Sequence, residues 1–310
     1  MRTYTVGTRG SALALWQTRH VTSLLKAHAP HIAERVITTR GDVNLTERLQ
    51  GSLEKGFFTE ELEAALHQKE IDWAVHSLKD LPTRNPKGLA IGAVLPRAPS
   101  GDLLLVREEA YQERSPNTLP LIAGARIGSS SLRREALIDH FADFARSTPL
   151  RGNVPTRVEK LRQGQFDAVL LAEAGVTRLG LDLSGLRVFR LNPRRWVCAP
   201  GQGAVAVQCR DDDAEILALL KHLDHPATRH ATSLERDFLR ILEGGCTTPF
   251  GAFVDEGRAF LAQQTDKGFR SGSCEIPQTS PQPAWLQQQL DALASNTSEE
   301  KSNEWLTRRV

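Results

Sequence analysis

Three clusters of arginines and hydroxyls stand at the ends of segments that read as β-strands: Thr8-Arg9-Gly10-Ser11, Ser129-Ser130-Ser131-Leu132-Arg133-Arg134, and Arg151-Gly152-Asn153 with Arg157 in the helix after it. In open α/β sheets those ends face the ligand crevice. A guanidinium presents a planar fork matched to carboxylate or phosphate, while serine hydroxyls and free N–H groups at helix N-termini add anion donors. The ligand this pattern predicts is polyanionic. Any one of these arginines alone reads as a solvated surface group; their recurrence at three strand ends is what points to a ligand. The segment His76-Ser77-Leu78-Lys79-Asp80-Leu81-Pro82 leaves another strand and turns at proline, which places Lys79 and Asp80 at the same sheet edge. A carboxylate there accepts N–H bonds from a heteroaromatic ring and stabilises a developing cation. From residue type alone, Asp80 reads equally as a turn stabiliser, and His76 reads as structural. Gly244-Gly245-Cys246 puts a thiol on a glycine-loosened turn after a helix. It either projects as a soft nucleophile for an electrophilic carbon or packs as a small hydrophobe.

The elements that must position these residues alternate between β-rich and helical patterns, which predicts an α/β fold. The first run has strands at Tyr4–Val6, Glu34–Thr39, Asp72–His76, Leu89–Leu95 and Leu103–Val106, with helices at Ala12–Lys26 and Thr59–Lys69. The loop Pro96–Gly101 is a crossover. A second α/β run follows: a strand into a turn at Arg126–Ser131, a helix over Leu132–Phe141, strands at Phe144–Leu150 and Ala168–Leu171, and a helix over Pro155–Gln163. Ala204–Cys209 reads as a strand returning to the first sheet. Helices at Ala214–Leu223 and Thr228–Leu242, a hairpin through Val254–Arg258 and a helix near Pro283–Ala294 complete a small α+β region. The expected division is domain 1 over residues 1–96 and 199–213 on the Asp80 side of a cleft, domain 2 over 97–198 on its arginine-rich side, and a C-terminal domain over 214–310 carrying Cys246. The polar tail from Ser295 to Val310 is expected to be loosely held.

At 310 residues the chain exceeds the usual size of one hydrophobic core. Its 39 Lys+Arg against 37 Asp+Glu leave a net charge of +2, which gives no bulk case for nucleic acid or an anionic membrane. The four cysteines, Cys198, Cys209, Cys246 and Cys274, form no CxxC pair, so neither a metal site nor a disulfide framework is expected. Gly201-Gln202-Gly203 matches no nucleotide loop. The N-terminus carries no apolar signal core, and a cytoplasmic protein is expected.

The segments Thr8–Gln17, Thr39–Asp42, Ala74–Pro82, Gly128–Arg134, Leu150–Val154, Arg178–Leu181, Gly201–Val205 and Leu242–Cys246 together resemble the porphobilinogen deaminase family, and the resemblance runs to about Gly251. It implies two domains like type II periplasmic binding proteins plus a small C-terminal domain, and a dipyrromethane cofactor joined to Cys246 by a thioether. It implies that four porphobilinogens are deaminated and joined head to tail into hydroxymethylbilane, in tetrapyrrole biosynthesis of the haem and chlorophyll type, with four ammonias released. Asp80 would be the catalytic residue, its carboxylate contacting pyrrole N–H groups and assisting deamination and carbon–carbon bond formation through an azafulvenium-like cation. Lys79, Asp80, Ser129, Ser131, Arg133, Arg134 and Arg151 would hold the cofactor. Arg9, Ser11, Arg151, Arg157, Arg178, Lys55, Phe58 and Gln202 would hold substrate. The resemblance also implies a monomer. The chain departs from the family pattern at Leu53-Glu54-Lys55-Gly56, where relatives commonly carry Gly-Gly-Lys-Gly, and at Glu60, where they carry a second lysine. Fewer glycines and less positive charge there alter lid motion and carboxylate attraction. The alternative function is a two-domain anion-binding or effector-sensing module without catalysis.

Overall fold

The computed structural model describes residues 2–39, 59–115, 118–242, 249–279 and 281–295, and residues 306–308 as backbone alone. The chain separates into two compact units, one of Met1–Ala98 with Gly201–His230 and the other of Pro99–Pro200 with Ala231–Val310. Elements are numbered along the chain.

The first unit holds β1 (Tyr4–Thr8), α1 (Ala12–Leu25), β2 (Ile32–Val36), α2 (Glu60–His67), β3 (Trp73–Ser77), β4 (Leu89–Val94), β10 (Val205–Arg210) and α6 (Ala214–Leu220). Its sheet order is β2-β1-β3-β10-β4. β1 is parallel to β2 and β3, whereas β10 is antiparallel to β3 and β4. Helices cover both faces, so the inner strands β3 and β10 bury both sets of side chains and lose the period of two, while the edge strand β2 stays largely exposed. On β3, Trp73 and Val75 pack with Val21 and Leu25 of α1, while Ala74 packs with Leu62 and Leu66 of α2. α1 starts where the Ser11 hydroxyl accepts a hydrogen bond from the Ala14 N–H at 3.3 Å. Burying each Val or Leu fully contributes ~1.5–3 kcal/mol relative to leaving it exposed.

α6, read from the sequence as part of the C-terminal region, packs Ile216 and Leu220 into the core of this first unit. Gly92 makes room for it: a Cβ there would lie 2.6 Å from Leu220 Cδ1. The i, i+4 apolar pair is what seats so short a helix on the sheet.

The second unit holds β5 (Asp102–Arg107), β6 (Arg126–Ser129), α3 (Leu132–Phe141), β7 (Arg146–Pro149), α4 (Val154–Arg162), β8 (Ala168–Ala172), α5 (Glu173–Leu179) and β9 (Leu186–Leu191). Its sheet order is β14-β9-β5-β8-β6-β7, where β14 is Leu306–Arg308. The tail expected to be loosely held thus supplies a three-residue edge strand, antiparallel to β9. An unpaired strand edge offers N–H and C=O groups to any free backbone within reach. α5 and β9 are further elements the sequence reading did not anticipate.

A second, three-stranded sheet is built from β11 (Phe250–Asp255), β12 (Arg258–Thr265) and β13 (Gly268–Glu275). Glu256 and Gly257, both at positive φ, form the two-residue turn between Asp255 and Arg258. Leu234 and Phe238 of α7 (Pro226–Leu242) and Leu286, Leu290 and Leu293 of α8 (Pro283–Ser295) cover this sheet. Within the unit it docks through Ala252 N–H to the Cys198 carbonyl at 3.1 Å and through Arg194, which reaches Asp255 at 2.7 Å and Glu256 at 2.5 Å. Gly251 allows the approach, since a Cβ there would lie 2.7 Å from the Val197 carbonyl.

Candidate active site

Parallel pairing brings the C-terminal ends of β1 and β3 to one edge of the first sheet. Arg9 and Ser11 follow β1, and Lys79 and Asp80 follow β3. Val205 of β10 lies opposite Ser77, which brings Gln202 to the same edge. There an open recess of about 420 Å³ is lined by Arg9, Ser11, Thr59, His76 and Asp80, among others.

Asp80 is delivered by a 3₁₀ turn, Leu78–Asp80, closed by the Leu81 N–H on the Leu78 carbonyl at 3.2 Å. Leu78 anchors the turn: it is buried, and its N–H donates to the Ala204 carbonyl at 3.0 Å. Gly201, at φ +74, passes so close that a Cβ would meet Leu78 Cγ at 3.0 Å. The buried leucine therefore holds Lys79 and Asp80, both exposed, at the edge. Lys79 Nζ lies 3.4 Å from Gln202 Oε1, and the buried Gln202 accepts the Arg97 Nε–H on its backbone carbonyl at 2.9 Å. Gln17 Nε2 donates to Ser77 Oγ at 2.9 Å, tying α1 to the end of β3. Burial lowers the pKa of His76 to about 4, with the nearby Arg9 charge acting in the same direction and the Gln208 side chain opposing it. The imidazole is neutral at neutral pH.

In the second unit the parallel strands β6, β7 and β8 likewise end together. Ser129 is buried at the end of β6, and its Oγ accepts the Ser131 N–H at 3.2 Å. Ser130 and Leu150 exchange hydrogen bonds that lock the two strand ends together. Gly152, at φ +113, turns the chain into α4, which Asn153 caps by accepting the Thr156 N–H at 3.0 Å. Lys160 Nζ donates to the Arg151 carbonyl at 3.0 Å, and Arg157 Nε to the Gly152 carbonyl at 2.7 Å. Arg178 lies in the last turn of α5, and burial lowers its pKa from the ordinary value. An arriving carboxylate would act in the opposite direction.

Arg133 and Arg134 are buried, and their forks already hold an acid of the chain. Asp102, at 0% exposure, accepts Arg134 Nη2 at 2.7 Å, Arg133 Nη2 at 3.1 Å and the Trp196 indole N–H at 3.0 Å. Arg133 Nη1 and Arg134 Nη1 donate to the Val197 and Leu170 carbonyls. Sequence reasoning missed Asp102, because nothing in a strand-starting Gly-Asp marks it as the partner of arginines some thirty residues on.

Cys246, Lys55 and Phe58 lie outside the described residues. Of the described cysteines, Cys198 and Cys209 are buried and Cys274 is partly so. Burial pushes the Cys209 and Cys274 thiols up to about 11, which leaves neither a thiolate at neutral pH. Among the described residues no cluster of three metal-ligating side chains occurs, and no helix is long and apolar enough to cross a membrane.

Residues 4–218 match the family described as porphobilinogen deaminase, dipyromethane cofactor binding domain. The porphobilinogen deaminase of Desulforamulus reducens is 48% identical over 253 residues, covering 80% of this chain and 78% of that protein. That of Carboxydothermus hydrogenoformans is 43% identical over 287 residues, covering 88% and 89%. Among solved structures, the BvgS periplasmic VFT2 domain of Bordetella pertussis is 15% identical, covering 71% of this chain and 86% of that one with a TM-score of 0.41.

Proposed function

The chain belongs to the porphobilinogen deaminase family, and on that premise we propose that it deaminates four porphobilinogens and joins them head to tail into hydroxymethylbilane. The observation that carries the reading is Asp80, exposed at the edge of a recess that Arg9 and Ser11 also line.

The residues fit a dipyrromethane edged with carboxylates: Arg151 follows β7, whose end pairs with Ser129 at the end of β6, and Ser131 follows on. Cys246 would carry the group by a thioether, and the high pKa values of Cys209 and Cys274 favour it as the anchor. Lys79, Asp80, Ser129, Ser131 and Arg151 would hold it, with Arg133 and Arg134 engaging it while tied to Asp102. When bound, the group supplies the pyrrole carbon to which the first substrate unit is joined.

Asp80 accepts the substrate's pyrrole N–H. As the C–N bond of the aminomethyl group breaks, ammonia leaves with the electron pair and positive charge spreads into the ring. The carboxylate binds that cation more strongly than the neutral ring, which lowers the barrier. Arg9, Ser11, Arg157 and Arg178 hold the substrate's carboxylates, together with Gln202, Lys55 and Phe58, and so orient the leaving group against its acceptor. We carry forward a division into three domains, one around each sheet, with α6 joining the first. A cytoplasmic monomer is carried forward from the family resemblance, and the net charge of +2 gives no bulk case for nucleic acid. A binding module without catalysis is disfavoured by the family assignment.

The test compares the parent chain with Asp80→Asn, following ammonia and hydroxymethylbilane together. The parent should release four ammonias per product. The variant should fold normally and lose about 100-fold or more in turnover. Near-parental turnover in Asp80→Asn would remove the role given to this carboxylate.

A further inference from the structure

Among the buried polar atoms of the first unit that have no hydrogen-bond partner among the described residues, His76 Nε2 and Thr59 Oγ1 belong to residues that line the recess that holds Asp80. They come from different elements. His76 sits on β3 opposite Ala206 of β10 and is 5% exposed. Thr59 is the N-cap residue of α2, yet its hydroxyl makes no capping bond, and it is 1% exposed. A threonine at an N-cap ordinarily spends its hydroxyl on a backbone N–H. Buried polar groups are nearly always satisfied, so the two that line the recess call for a partner within it.

We propose that His76, with Thr59 on the same recess, is a specificity-determining residue: its Nε2–H donates to an acetate oxygen of the pyrrole substrate held by Arg9 and Ser11. The inference rests on the porphobilinogen reading. Chemistry favours an anion as the missing partner. Arg9 lines the same recess and acts electrostatically on His76, and the N-terminus of α1 opens there at Ser11. A neutral imidazole adds a directional donor without a charge that would pair with Asp80 and quench it. Its neutrality follows from its desolvated position. Behind it Gln208, two residues along β10 from Ala206, donates to Glu63 at 3.3 Å. His76 thus interacts with the Gln208 side chain and also lines the recess.

The experiment measures equilibrium binding to the cofactor-loaded chain of two unreactive probes. One is porphobilinogen with its aminomethyl group replaced by methyl; the other is the same molecule with its acetate also replaced by methyl. Porphobilinogen turnover by the parent is measured in parallel. His76→Phe removes the donor and keeps a planar ring; His76→Gln restores a neutral donor. His76→Phe should bind the dicarboxylate probe about tenfold or more weakly, the scale of a lost bond to a charged group. The acetate-less probe should bind parent and variant alike, and His76→Gln should recover most of the loss. In turnover the loss should fall on KM more than on kcat. Unchanged binding of the dicarboxylate probe, or equal losses for both probes, with an active parent, would overturn the role of His76 alone. A parent that neither turns over porphobilinogen nor binds the probe would overturn both this inference and the reading beneath it. If His76→Phe does not fold, His76→Gln and Thr59→Val decide: the first should stay near parental affinity and the second should weaken only the dicarboxylate probe, and any other pattern overturns the inference.

Discussion

Asp102 accepts donors from Arg133, Arg134 and Trp196 at 0% exposure, and removing it would leave two guanidinium groups buried without a counter-charge. Asp102→Ala should therefore cost about 3–5 kcal/mol in denaturant unfolding. A loss below about 1 kcal/mol, the scale of an exposed pair, would show that these arginines are wetter than the structure describes. His76 gives a second test through pH. Its pKa is about 4 in the fold against 6.5 for the exposed group, so the unfolded chain binds more protons across that window and stability falls as pH falls through it. Each pH unit inside the window removes at most about 1.4 kcal/mol from this group. His76→Gln should lose less stability than the parent between the two values; equal slopes would contradict a buried neutral imidazole. The sequence made the arginine and serine clusters legible because anion-binding chemistry is carried by residue type. It did not reveal that Arg133 and Arg134 are paired with Asp102, since Asp102 and Arg134 meet only through the pairing of the sheet. Nor did it separate His76 from an ordinary core histidine, because an unsatisfied nitrogen is a property of the packed recess.

At the scale of elements, the turn that carries Asp80 depends on a glycine from a distant segment. Gly201 lies at φ +74 against Leu78, and Ala there would both strain the backbone and press on the anchor of the 3₁₀ turn. Gly201→Ala should cost about 1–3 kcal/mol in stability and lower kcat more than stability alone explains. An unchanged kcat would mean that the turn does not depend on this contact. Most elements were readable: α1 announces itself with Ser11 and an apolar stripe, and the hairpin at Glu256-Gly257 with a two-residue turn. β9 was missed because Val188 and Phe189 are both buried, on a strand covered on both faces, so no alternation marks it. α5 has only seven residues and ends on Gly180 in the left-handed region, too short for a helical period to emerge.

Over the whole molecule, the chain leaves its first sheet after β4, builds the second unit, and returns through β10. That return was legible from the apolar run after Gly203. The placement of α6 was not, because only tertiary packing against Gly92 decides which sheet its Ile216 and Leu220 cover. The residues proposed to hold carboxylates lie in both units of the chain, and the thiol proposed to anchor the cofactor is Cys246, far along the sequence. The most direct measurement is the intact mass of the purified chain and of Cys246→Ser, each before and after brief exposure to porphobilinogen. The parent should exceed its sequence mass by two porphobilinogens less two ammonias and then grow in single pyrrole steps, while Cys246→Ser should carry no stable adduct. A parent at its bare sequence mass, even after incubation with porphobilinogen or hydroxymethylbilane, would contradict an enzyme that works on an anchored cofactor.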